Sequence, residues 1–205
     1  GHELASHGYD HQKVFEQSPA EFREDVFRTK QMLEDIGGVA VRGYRAPGFS
    51  IDVRAPWAYD VLRATGHTYS SSSHPIAHDH YGDAGAERNA YHPLNGAGFI
   101  EAPVATIEMF GKRLSAAGGG WFRAAPLMMT KPLIARASKT LDGPVIFYFH
   151  PWEIDPDQPR MARAKLKSKL RHYLRLGRME AKLAKLLSAH SWTRIDKALG
   201  LGAAS

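Results

Sequence analysis

Short apolar runs alternate with helical stretches along most of this chain, and that alternation limits the fold more than any other feature. Residues 2–7 (HELASH) read as a strand, followed by the helical stretch SPAEFREDVFRTKQMLEDIGG. In that stretch Ser18 suits the N-cap, Pro19 the first helical position and Glu21 the far side of a capping box. Phe22, Val26, Leu33 and Ile36 recur at helical spacing and mark one apolar face, with Gly37 as the stop. VAVRGYRAP reads as a strand running into a loop, because the residue before Pro47 is pushed away from helix. A second helix is predicted over 56–65 and a short strand at HTYSSS. Residues 74–98 are rich in His, Gly, Asp and Pro and read as a long loop. FIEAPVATIEMF is strand-like, GGG at 118–120 reads as a turn, and a helix is predicted over 126–140. PVIFYFH reads as a buried strand ending at His150. Such an order predicts a parallel α/β arrangement. Chemistry in these folds gathers where the C-terminal ends of strands meet the loops. His7, Arg45, Ser70–Ser72 and His150 all fall at predicted strand ends.

Composition narrows the chemistry. The chain has 205 residues, of which 43% are hydrophobic and 23% charged, the profile of a globular domain with a sizeable core. It has no cysteine, so a metal site must use histidine, carboxylate or water. No apolar run reaches the ~18 residues of a membrane span. The net charge of +6 is uneven: from Arg160 to Lys185 ten Lys/Arg face one acid, Glu180, and the remainder is close to −3. This basic, amphipathic segment, broken near Gly177, reads as a solvated helical face packed on the domain. The sharper alternative, secondary to that one, is a contact surface for an anionic polysaccharide or a membrane.

Several residues carry chemistry, each with a plainer alternative. His7 and His11 are four apart, so on a helical turn both imidazoles face one way and can reach one metal at about 2.0–2.1 Å. They can also be two surface histidines in a turn. Arg45, before the rigid Pro47, can orient a carboxylate through two parallel hydrogen bonds or stand exposed at a turn. His150 closes an apolar run, where it serves as a general acid or as a histidine tied to backbone. Trp152 can form a sugar-stacking wall or pack in the core. The serine run 70–73 lacks G-x-S-x-G, and the Gly-rich stretch 117–120 lacks the Lys-Ser/Thr of a phosphate loop.

Taken in order, GHELASHGYDH, YRAPGFS and FYFHPWEIDPDQPR resemble the polysaccharide deacetylases of the NodB-homology group. GGGWFRAAP and LRHYLRLGRMEAKL sharpen the likeness to the branch associated with exosortase-type (XrtA) exopolysaccharide clusters. The resemblance implies an irregular (β/α) barrel, a deacetylase domain over 1–159 and a helical extension over 160–205 packed on it. It implies one divalent metal, most commonly zinc, and hydrolysis of N-acetyl groups on a bacterial polysaccharide. By position, His7 and His11 match the two metal-binding histidines, Arg45 the arginine that holds the catalytic base, and His150 the general acid. The family's first motif supplies an aspartate base and an aspartate ligand, and the resemblance places it upstream of Gly1. On that expectation the chain retains two of three metal ligands and the acid, lacks the base, and is nearly inactive by itself. Gly8 stands where the broad family prefers Ser or Thr, Ser70 where closer relatives carry Asp, and Pro151 where an aspartate often follows the histidine. Those departures motivate a second reading, a non-catalytic fold that binds polysaccharide or a biosynthetic partner. A third, a membrane or nucleic-acid module built on the basic helices, leaves the strand-end residues unexplained.

Overall fold

The computed structural model describes residues 1–77, 82–96 and 98–202, so residues 78–81 and 97 of the expected long loop lie outside the described residues. Helix α1 spans Pro19–Gly37 and begins as its sequence dictates. The Ser18 hydroxyl accepts from the Glu21 amide at 3.3 Å, and the Ser18 amide donates to Glu21 Oε2 at 2.7 Å. Phe22 and Val26 are fully buried. Ile36 is not: it is 81% exposed, so the apolar face of the helix is buried only over its earlier turns. The helix also continues one residue further than expected, and Gly38, at φ 63°, takes the left-handed cap in place of Gly37.

Three two-residue strands follow: β1 (Gly43–Tyr44), β2 (Tyr69–Ser70) and β3 (Ile100–Glu101), with helix α2 (Ala58–Ala64) between the first two. They pair in parallel in the order β1-β2-β3, with Tyr44, Ser70 and Glu101 in register. A single parallel bridge joins Ser6 to Tyr44 on one side, and another joins Val104 to Ile146 farther on. The arrangement is mixed α/β, with a parallel sheet that is open among the described residues. Residues 2–7 contribute only the Ser6 bridge rather than a strand.

The strand-like run 99–110 is split at Pro103 into β3 and β4 (Thr106–Met109). Strand β4 forms an antiparallel hairpin with β5 (Lys112–Ser115) across a turn with Phe110 and Gly111 both at positive φ. Glycines 118–120 start a helix: Gly118, at φ 110°, precedes α3 (Gly119–Ala124). Helix α4 spans Leu127–Thr140. The expected strand at 144–150 is also corrected. It bridges only at Ile146, the single buried residue of that run, while Phe149 and His150 are exposed. Its aromatic side chains pack separately, Phe147 on Phe122 and Tyr148 on Phe49, each with ring centroids 4.9 Å apart.

The basic segment forms α5 (Leu166–Tyr173) and α6 (Met179–Ala189), broken at Arg175 (φ 58°), and α7 (Ile195–Ala198) follows. Three apolar clusters hold the whole. One lies between α1, α2 and the sheet and contains Phe22, Tyr44, Leu62 and Phe99. A second joins the β4–β5 hairpin to α4 through Ile107 and Ala137. The third brings α3, α4 and α6 together through Phe122, Ile134, Met179 and Leu186. Residues on both sides of position 160 therefore share one buried cluster. No helix among the described residues is long and apolar enough to cross a membrane.

Candidate active site

The sheet brings the marked side chains to one rim. The Ser6–Tyr44 bridge sets residue 7 beside residue 45: Ser6 N donates to the Gly43 carbonyl and Arg45 N to the Ser6 carbonyl, both at 2.9 Å. His7 Nδ1 then donates to the Arg45 carbonyl at 2.6 Å. That bond fixes the tautomer and leaves Nε2 with its lone pair free, the form in which an imidazole binds a metal. The His11 ring stands 5.0 Å from that of His7, edge to face. The two do not meet on a helical turn. Gly8 (φ 80°) and His11 (φ 54°) are both left-handed, and this bend turns the second ring back toward the first. Asp25 of α1 staples the bend, accepting from the Tyr9 and Asp10 amides at 3.0–3.1 Å. A Cβ on Gly8 would lie 2.9 Å from Asp25 Oδ2, which explains glycine at that position.

Although its ring keeps solvent access, His7 is desolvated by the surrounding protein, and this lowers its pKa below the ordinary value. The hydrogen bond to the Arg45 carbonyl opposes the shift, and the nearby His11, Arg45 and His150 add to it. His7 is thus held in the neutral, ligand-competent state.

Arg45 is braced by the serine run. Its Nε donates to the Ser71 carbonyl at 2.9 Å and its Nη2 to the Ser71 hydroxyl at 2.8 Å. Ser70 and Ser72 share a hydrogen bond at 2.6 Å, and Ser72 Oγ accepts from the Ala46 amide at 2.9 Å. Beneath them, at the end of β3, Glu101 is wholly buried, and its Oε1 accepts from the Ser72 and Ser73 amides at 2.8 Å. Burial pushes Glu101 above the usual carboxylate range, against those bonds and the charge of Arg45. From Arg45 an aromatic path leads across the rim. The guanidinium lies 5.9 Å from the Phe49 ring, Phe49 is 4.9 Å from Tyr148, and Tyr148 is 6.0 Å from His150.

His150 opens a single 3-10 turn, Pro151–Ile154, with Pro151 at its first position. Its amide and its Nδ1 both donate to Glu153 Oε1, each at 3.1 Å. Glu153 is fully buried, and its Oε2 receives Arg123 Nη1 at 2.5 Å. Burial alone would raise the Glu153 pKa; the two bonds from His150 and the charge of Arg123 outweigh it, so the carboxyl titrates below its ordinary value. Trp152 is half-buried and stacks on His150, with ring centroids 5.4 Å apart, and on His172 at 4.2 Å.

Glu153, Arg123, Asp25 and Glu101 are the residues that sequence reasoning missed. One signal was available: a glutamate three after His150, with proline between, is the spacing of a capping box. Nothing local marks the other three. Among the described residues no three His, Cys, Asp or Glu side chains gather at one point to hold a metal. What the chain offers a divalent ion is the His7–His11 pair, whose proximity, with the tautomer of His7 fixed, fits two ligands of an incomplete set.

The sequence profile of polysaccharide deacetylases matches residues 1–70, which contain His7, His11 and Arg45. A second profile, described as "Domain of unknown function (DUF3473)", matches residues 71–200, which contain His150, Glu153 and Arg123. No curated protein matches the chain. A solved structure described as "Crystal structure of putative polysaccharide deacetylase from Mycobacterium smegmatis" aligns with a TM-score of 0.51 at 18% identity, over 95% of this chain and 67% of that one. At that identity the likeness is one of fold. The DUF3473 match takes in more than half of the chain, including the last histidine of the rim with its buried carboxylate, and the chain belongs to that family.

Proposed function

We propose that this chain works in the metal-dependent removal of N-acetyl groups from the hexosamine units of an exopolysaccharide. One observation carries the reading. Two imidazoles, one fixed in its ligand tautomer, share a rim with a histidine whose Nδ1 is bonded to a buried carboxylate. The deacetylase profile over residues 1–70 and the shared fold support it.

A bound divalent metal, zinc first among the candidates, would polarise the acetyl carbonyl and lower the pKa of its water toward ~7. His7 and His11 would hold it in part, His7 through Nε2. His150, with Nδ1 engaged by Glu153, is left with Nε2 to protonate the departing amine. Arg45, clamped by Ser71, orients the carboxylate base. The resemblance assigns that base to an aspartate of the family's first motif. Glu101 does not take the part, since it is wholly buried beneath the serines, with Oε1 committed to the Ser72 and Ser73 amides and no surface open to a substrate water. The departures that would favour a non-catalytic fold have local explanations. Gly8 fits a left-handed bend, Pro151 starts a 3-10 turn, and Ser70 is bonded to Ser72.

The test is acetate release from N-acetylglucosamine oligomers by the natural protein that contains this chain, with zinc supplied. His150→Ala is expected to lower kcat by about 10²–10⁴-fold. His7→Ala is expected to weaken zinc binding at least tenfold by calorimetry. Full turnover in His150→Ala, or zinc affinity unchanged in His7→Ala, would overturn the assignment.

A further inference from the structure

The three strongest features outside the metal-facing residues are the buried Arg123–Glu153 pair, the apolar groove by α5, and the basic face of α5. Only the first is built, bond by bond, into the rim. Glu153 is fully buried and Arg123 is 3% exposed. Two charges so far from water are expensive unless every donor and lone pair is used. Here they are used. Glu153 Oε1 takes the His150 amide and Nδ1, and Oε2 takes Arg123 Nη1. Arg123 Nε donates to the Leu174 carbonyl at 2.9 Å, and Nη2 to the Arg171 carbonyl at 2.6 Å. Those carbonyls belong to the C-terminal end of α5, where backbone acceptors have no partner within the helix. The guanidinium also lies 5.1 Å from the Trp152 ring, which itself stacks on His150.

Each alternative explanation of the pair falls short. A purely structural ion pair would be as well served by apolar residues of the same volume. It would not need a carboxylate oxygen against the imidazole of an exposed histidine. The surface histidine, in turn, gains nothing as a turn cap from its ring nitrogen, because its backbone amide already reaches the same oxygen.

We propose that Glu153 is the positioning residue for His150, and that Arg123 locks Glu153 while capping α5, so that the basic C-terminal helix is part of the support beneath the acid. The proposal rests on the deacetylase reading for its catalytic meaning, but its structural half stands alone. An ionised carboxylate at Nδ1 holds the imidazole with Nδ1 protonated and Nε2 facing outward. The proton that leaves for the amine departs from Nε2, and Nδ1 keeps its own.

The experiment uses Glu153→Gln, Glu153→Asp and the double variant Arg123→Met with Glu153→Gln. The double variant removes both buried charges at once and stays measurable if the single variant unfolds. Nitrogen-15 NMR of the His150 ring is read alongside kcat and KM. The unaltered protein should show neutral His150 protonated at Nδ1, and the glutamine variants should shift it toward the Nε2–H form. With zinc affinity and KM within about twofold, kcat should fall roughly 10–100-fold, the usual consequence of losing an orienting partner. Glu153→Asp should recover part of both signals. A His150 tautomer unchanged in the glutamine variants would overturn the proposal, as would a loss of kcat unaccompanied by any change at the ring. If the unaltered protein releases no acetate, the deacetylase reading fails, and the NMR result still decides whether Glu153 positions His150.

Discussion

At the scale of single residues, Gly8 shows how a site can depend on an atom that is absent. Its left-handed backbone turns His11 toward His7, and the space where a Cβ would sit is filled by Asp25. Gly8→Ser must strain that φ and displace the carboxylate that staples the loop. The expected result is a loss of about 1–2 kcal/mol in a urea melt, from the left-handed backbone alone, and weaker zinc binding. His67 makes a second residue-scale prediction. Its ring is buried against Tyr44, its Nδ1 meets the Thr65 hydroxyl at 3.1 Å, and its Nε2 has no hydrogen-bond partner. Burial pulls its pKa from the ordinary 6.5 down to about 4, and Lys30 adds to the shift. The unfolded chain therefore takes up a proton below pH 6.5 that the folded chain refuses. Stability contributed by neutral His67 is complete above pH 6.5 and declines as pH falls toward 4, by on the order of 3 kcal/mol in all. Melts across that window should show the decline, and His67→Phe should flatten it.

At the scale of elements, what the sequence disclosed and what it withheld divide by distance along the chain. The α1 start was legible because a capping box needs only residues three apart. Ser18→Ala removes one arm of it and should cost about 1 kcal/mol, measured as a shift of the urea midpoint without change of slope. The run PVIFYFH misled because apolar content cannot distinguish a strand from an extended segment whose side chains pack one by one. Its neighbours form a strand bridge only at Ile146, and the Tyr148 carbonyl accepts instead from the amide of Gly119 at the start of α3. The helix ends around the C-terminal segment were illegible for another reason: they cap one another across some fifty residues. Arg123 serves the α5 carbonyls, while Arg175 donates to the Ala124 carbonyl and Lys182 to those of Phe122 and Ala125 at the end of α3. No local pattern announces such an exchange. The basic residues that read as a solvated face or a contact surface thus include two, Arg175 and Lys182, that hold helices together.

At the scale of the whole molecule, the parallel order and the rim of polar residues were legible, because strand–helix alternation fixes where strand ends fall. The connection between the first and last segments was not. Glu3 accepts from the Tyr69 hydroxyl at 2.8 Å and from the Asp196 amide at 3.2 Å. Asp196, only 1% exposed, pairs with Arg42 at 3.1 Å and Arg194 at 2.5 Å. This clasp joins α7 to the edge of the sheet that carries His7. Asp196→Asn leaves two arginines facing a neutral amide. It should cost about 1–3 kcal/mol, discounted from a fully buried pair because both arginines retain some solvent. Calorimetry should show a lowered melting temperature, with zinc binding retained at temperatures where the fold persists.

The indole that stacks on both His150 and His172 has a further consequence. Its ring lies 5.4 Å from that of His150 and 4.2 Å from that of His172, so reorientation of either imidazole changes the surroundings of the indole. Trp152 is therefore the chromophore placed to report such a movement at the rim.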